Sequence, residues 1–260
     1  MADPKTVQRG SELLRLHRDP SLLTVVNVWD AVSAKVVAAV EGTHALATAS
    51  HSIAASWGYE DGENIPLDLM LDTVGRIVAA TDLPVTADLE GGYGDAAETV
   101  RRAIGIGVVG ANIEDQLKPL PEAVRQIEAI MRAAESEGVD FVLNARTDVF
   151  HLQRKRDPAV NLAEAIERGR AYLDAGAPVV FVPAILSEPQ VQQLVDAFGP
   201  QRLTVIGIPG LPPLARLEEL GVARVSYGPL SQNVALTALQ ELVEDVHADG
   251  GIPSTMRMLN

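Results

Sequence analysis

GANIEDQLKPLPEAVRQIEAIMRAAESEGVDFVLNART, residues Gly110–Thr147, is one complete turn of a strand–helix–strand repeat. A short apolar run, Gly110–Gln116, ends in acidic residues. The helical pattern that follows, near Pro121–Gly138, stops at a glycine, the residue that helix C-caps favour. Phe141–Thr147 then opens the next run. Outward from this unit the same rhythm recurs. Upstream lie Thr24–Val28 with a helix from Ala31 to Glu41, Ala45–Ser50 with a helix at Leu67–Thr81 after a long loop (His51–Pro66), and Pro84–Glu90 with a helix near Asp95–Gly107. Downstream lie the helix Leu162–Gly176, Pro178–Ala184 with Glu188–Gly199, Leu203–Ile208 with Pro212–Gly221, and Ala223–Gly228 with a last helix near Asn233–Gly250. An extra helix near Thr6–Arg18 precedes them all.

Apolar runs buried on both faces and alternating with amphipathic helices predict a parallel sheet. Eight such units in a chain of 260 residues fit an α/β (β/α)8 TIM-type barrel, with residues 1–260 as one domain. A doubly wound Rossmann-type sheet is the alternative, and the first strand lacks the GxGxxG turn it requires. For the same reason neither NAD nor flavin is expected.

The net charge of -14 makes the surface repel phosphate backbones and anionic lipid, so neither nucleic acid nor membrane is an expected partner. The absence of cysteine excludes thiolate catalysis and Cys-ligated zinc. The first residues, Met1 to Gly10, lack an apolar signal core, and no run approaches the ~18 apolar residues of a membrane span. The expected compartment is the cytoplasm.

In a barrel, the C-terminal ends of the strands form the active site. The third run ends Ala87-Asp88-Leu89-Glu90-Gly91-Gly92, the fourth Asn112-Ile113-Glu114-Asp115-Gln116 and the fifth Asn144-Ala145-Arg146-Thr147-Asp148. Three consecutive strands thus deliver Asp88, Glu90, Glu114 and Arg146 to one mouth. Bare carboxylates so close repel one another, and a divalent cation relieves that repulsion. Oxygen-only ligands favour Mg2+ or Mn2+ over zinc. Arg146 offers a planar fork to a substrate carboxylate, so metal and arginine together suit a small anionic 2-oxo acid. Asp115 and Asp148 are expected to point elsewhere, into structural hydrogen bonds. The basic run in the loop His151–Pro158 is expected to be solvated surface.

Four motifs, Gly58-Tyr59-Glu60-Asp61-Gly62, Ala87–Gly94, Ile113-Glu114-Asp115-Gln116 and Asn144–Asp148, resemble those of the isocitrate lyase/phosphoenolpyruvate mutase superfamily in order and approximate spacing. The resemblance spans about Asn27 to Gly228. It implies a (β/α)8 barrel, Mg2+, a pyruvate-like enolate beside the bond that breaks, and a dimer or tetramer with a C-terminal helix exchanged between subunits. By the same resemblance, Asp88 is the direct metal ligand, and Glu90 and Glu114 bind the metal through water. Asp61 lies near the metal waters and substrate, and Arg146 stabilises the substrate's oxygens. Thr48-Ala49-Ser50 matches a segment whose backbone N–H groups hold the carboxylate.

The departures narrow the activity. Lyases of the family carry a cysteine loop after the fourth strand, where this chain has only Leu117-Lys118-Pro119-Leu120-Pro121. That argues against isocitrate or methylisocitrate cleavage by the usual acid. Lys118 is a candidate replacement for a loop lysine of the mutase and hydrolase branch. His51 is a candidate proton donor near neutral pH, and Trp29 a candidate pocket wall. The reading is a carbon–carbon lyase of oxaloacetate-decarboxylase type. P–C bond chemistry and a weakly active 2-oxo acid binder are the alternatives.

Overall fold

A computed structural model describes residues 1–259. The elements run α1 (Pro4–Arg18), β1 (Leu23–Val25), β2 (Asn27–Val28), α2 (Ala31–Ala38), β3 (Leu46–Thr48), α3 (Ser50–Ser56), α4 (Leu67–Ala79), β4 (Val85–Asp88), α5 (Ala96–Gly105) and β5 (Gly110–Glu114). They continue α6 (Leu120–Glu137), β6 (Val142–Arg146), α7 (Val149–Leu152), α8 (Pro158–Asp174), β7 (Val179–Val182), α9 (Glu188–Phe198), β8 (Leu203–Ile206), α10 (Leu214–Leu220), β9 (Arg224–Ser226) and α11 (Leu230–His247).

Every pairing is parallel, and the order is β1-β9-β8-β7-β6-β5-β4-β3-β2. Because β1 and β2 are consecutive, separated only by Val26, the sheet closes into a TIM-type barrel through an interrupted first strand. That closure removes the doubly wound alternative. The Asn27 side chain bridges the interruption. Its Oδ1 accepts from the Tyr227 and Gly228 N–H groups at 2.7 and 2.8 Å, and its Nδ2 donates to the Thr48 carbonyl at 2.8 Å.

The strands are short and their inner and outer faces are both covered, as in β7, where Val179, Val180, Phe181 and Val182 are all buried. Helices start on the expected chemistry: Asp3, Asp30 and Asp95 cap α1, α2 and α5, and Gly138 and Gly221 end α6 and α10 in the left-handed conformation. At the strands' N-terminal ends α1 packs so closely that a Cβ on Gly110, at the start of β5, would lie 2.9 Å from Leu13 Cδ2.

Two segments read as loops contain helix. The start of His51–Pro66 belongs to α3, which begins at Ser50 and is pinned at its end by Trp57 Nε1 donating to Thr73 Oγ1 of α4 at 3.0 Å. It is too short for a 3.6-residue period to stand out. In the other, α7 forms a single turn after β6, and α8 begins at Pro158 rather than Leu162. Beyond its first turn α11 is scarcely covered. Gln232 is buried against α3, but Val234, Leu236, Leu239, Val243 and Val246 are exposed. Among the described residues no helix is long and apolar enough to cross a membrane.

Candidate active site

The strand ends at the C-terminal mouth line a cavity of about 570 Å³. Register places the chemistry: Asp88 on β4 stands opposite Asn112 on β5, and Glu114 at the end of β5 opposite Arg146 at the end of β6. Asp88 is held by the segment after β3. Its Oδ2 accepts from the Ser50 N–H at 3.1 Å and from Ser50 Oγ at 2.8 Å, and its own N–H donates to Thr48 Oγ1 at 2.9 Å. Glu90 follows in a left-handed turn (φ 52°), where its carboxylate accepts from the Glu63 N–H and from Tyr93 Oη. The turn needs glycine at position 92: a Cβ there would lie 2.3 Å from Ala96 Cβ.

Arg146 is gripped from two sides. Nη1 pairs with Glu114 Oε2 at 2.8 Å, while Nη2 and Nε both reach Asp148 Oδ1 at 2.8 Å. Asp148 therefore belongs to the cavity wall, contrary to the expectation that it points away. Asp115 does form a buried structural hub, accepting from Tyr172 Oη at 2.5 Å and Arg168 Nη1 at 3.2 Å. Asp61 and His51 face each other at the rim, His51 Nδ1 lying 3.6 Å from Asp61 Oδ2.

Three expected site residues are placed elsewhere. Lys118 does not line the cavity, and its Nζ donates to Gln126 Oε1 on α6 at 2.9 Å, because the short Leu117–Pro121 link runs straight into that helix. Trp29 packs against the core beside the α2 capping box rather than walling the cavity. Thr48 is fully buried beneath it, and of the segment Thr48–Ser50 only Ala49 and Ser50 reach the cavity. The Ser50 N–H, expected to hold a substrate carboxylate, is engaged by Asp88. Sequence reading missed an opposite, largely apolar wall formed by Leu152, Phe181, Pro183 and Ile206, together with His151. The ends of the sixth and seventh strands signalled part of it; α7 had no signal beyond a solvated-looking loop.

The donor set suits a divalent cation. Asp61, Asp88, Glu90, Glu114 and Asp148 share the cavity with one arginine. Burial, with Asp88 nearby, pushes the Glu90 carboxyl up to about 7. Burial pushes Glu114 up to about 8, only partly offset by Arg146. Among the described residues no three acid or imidazole side chains are gathered closely enough to hold an ion directly. The raised values give a pH signature. Unfolded, these carboxyls titrate near 4.5, so between there and about 8 the metal-free native state holds more protons than the unfolded chain. Their contribution to stability is then lost as pH rises through that window. The Tm gained on adding Mg2+ should accordingly grow from pH 5.5 to 8.5. A Tm gain that shrinks over this range would count against the carboxylates as metal holders.

The family model for phosphoenolpyruvate phosphomutase matches residues 13–247. The chain belongs to this family. Through it the chain is an enzyme of the isocitrate lyase/phosphoenolpyruvate mutase superfamily, whose members include carbon–carbon lyases. The family fold is seen in a structure from Burkholderia cenocepacia J2315 described as a phosphonomutase, 41% identical, covering 92% of this chain and 98% of that one, with a TM-score of 0.85. The 2,3-dimethylmalate lyase of Eubacterium barkeri is 29% identical over 271 residues, 96% of this chain and 90% of the lyase. A structure of oxaloacetate acetylhydrolase in complex with its product oxalate is 26% identical, covering 96% and 91% of the two chains, with a TM-score of 0.85.

Proposed function

We propose that this family member is a Mg2+-dependent carbon–carbon lyase, with Mn2+ as a substitute. Its substrate is a small 2-oxo or 2-hydroxy carboxylate, cleaved through a pyruvate-like enolate in the manner of an oxaloacetate decarboxylase. The observation that carries this reading is the pairing of Arg146 with a cluster of carboxylates from adjacent strand ends over one cavity. Asp88 would hold the ion, with Glu90 and Glu114 reaching it through water and Asp61 beside them. When bound, the ion supplies Lewis acidity toward the oxygens of a 2-oxo acid.

The chain's own groups do the rest. Arg146 balances the negative charge that grows on the substrate's 2-oxo oxygen as the bond breaks. Glu114 and Asp148 fix its guanidinium plane so that no reorganisation is needed at that moment. His51, beside Asp61, protonates the enolate carbon left behind when CO2 departs. Leu152, Phe181, Pro183 and Ile206 give the cavity an apolar flank. P–C chemistry is less well served, because a phosphonate dianion needs several cationic donors and no lysine among the described residues lines the cavity.

Pyruvate release from a panel of 2-oxo and 2-hydroxy acids, with Mg2+ and with chelator, tests the reading. Metal-dependent release from oxaloacetate or an alkyl-substituted malate is expected. Phosphate release from phosphonopyruvate alone would replace this reading with the P–C one.

The exposed apolar residues of α11 support a homo-oligomer, dimer or tetramer, in which that helix packs on a second copy. Light scattering should give at least twice the chain mass, and Leu239→Glu with Val243→Glu should return it to one. A monomeric native protein would remove the proposal.

A further inference from the structure

Arg224 is the largest side chain among those fully buried, at 1% exposure, and none of its three guanidinium nitrogens has a hydrogen-bond partner among the described residues. Its place follows from register. On β9 it stands opposite Thr204 of β8 and Leu23 of β1, and registered residues of parallel strands share a face. Thr204 Oγ1 donates to Asn144 Oδ1 at 2.6 Å, and Asn144 Nδ2 donates to Asn112 Oδ1 at 2.6 Å. Asn112 is opposite Asp88 and lines the cavity. A line of polar side chains thus crosses the barrel interior from the cavity floor to the strand that carries Arg224.

His17 of α1 is also buried and lies near enough to feel the Arg224 charge. Its Nδ1 lies 2.8 Å from the Leu13 carbonyl, so that nitrogen carries the proton and Nε2 is a bare lone pair, likewise unpartnered. Ordered water between donor-rich Arg224 and acceptor His17 would satisfy both groups. Water does not neutralise the charge. An unpaired buried guanidinium is costly, and an apolar residue of similar volume would serve a purely structural position better. Burial pushes Arg224 down to about 10, which leaves it charged at neutral pH, and the one carboxylate whose field opposes that shift is Asp88.

The cavity explains the charge. It holds five carboxylates against one arginine. A divalent cation leaves that set net negative, so the cation binds readily and an anionic substrate enters against repulsion. We propose that Arg224 is a buried counter-charge to the cavity, a positioning residue that weakens cation binding and strengthens anion binding from beneath the floor without touching either ligand. The inference rests on the reading that these carboxylates hold a divalent cation beside an anionic substrate. It acts through the buried barrel interior, where a charge is felt over longer distances than in bulk water.

The test measures, by calorimetry, Mn2+ binding and then oxalate binding to the Mn2+-loaded protein, for the native chain and three variants. Arg224→Met fills the volume without charge. Arg224→Gln keeps a donor for the water but drops the charge. Arg224→Lys keeps the charge. Met and Gln should each bind Mn2+ about tenfold more tightly and oxalate about tenfold more weakly. Lys should stay near native for both, and Met should melt no lower than native. A structural role would weaken both ligands together, and that result, or no change in either, overturns the inference. A native protein that binds no Mn2+ overturns the metal reading and this inference with it. Native binding unaltered by Met and Gln overturns this inference alone.

Discussion

Asp88→Ala is expected to abolish Mn2+ binding and, with it, metal-dependent turnover. One carboxylate oxygen, Oδ2, is taken by the N–H and hydroxyl of Ser50, which locks the side chain in place. The other, Oδ1, accepts no hydrogen bond from the described residues and is left for a ligand. Glu90 and Glu114 are poorer direct ligands, because burial raises both carboxyls and a cation must displace their protons to bind. Asp88→Asn separates site from scaffold: it keeps the shape and an oxygen for Ser50 but loses the charge. It should melt within a few degrees of the native protein while binding Mn2+ at least about a hundredfold more weakly. Full metal-dependent turnover in Asp88→Ala would remove Asp88 from the metal site.

Arg146→Lys is expected to lower kcat/KM by roughly two orders of magnitude or more, the scale of losing one oxyanion donor. The guanidinium meets Glu114 with Nη1 and Asp148 with Nη2 and Nε, a fork that spans two carboxylates. An ammonium cannot hold both in that geometry. Turnover should fall further than oxalate affinity, because charge on the substrate oxygen is greatest at the moment of cleavage. Unchanged oxalate affinity together with unchanged turnover would make Arg146 a structural ion-pair partner.

The barrel was legible because its information is periodic. Apolar runs ending in Asp88, Glu114 and Arg146 predicted both the strands and the mouth they share, since register in a parallel barrel follows from the strand order itself. What escaped was whatever lacks a period or depends on distant partners. The seven-residue α3 and four-residue α7 are too short to show one. Asp148 looked like a neighbour facing away, yet the backbone turn after β6 brings it back onto Arg146. Lys118 looked like a lid residue, but the link to α6 is too short to project it over the cavity. Arg224 gave no signal, because a single arginine in an apolar run reads as the exposed edge of a strand and only closure of the barrel buries it.

Asn27 gives the barrel a mechanical character that the strand count conceals. A ring of parallel strands carries tension all the way round, except where its ladder is cut, and here the cut at Val26 is spanned by one amide side chain. The same residue borders the cavity, and its carbonyl accepts from Ser231 Oγ at 2.6 Å at the root of α11. Joint, rim and the root of α11 are therefore tied together through one residue. A load on α11 would meet the rim first through Asn27, whereas the far wall from β5 to β8 is held by five, three and three registered pairs without a break.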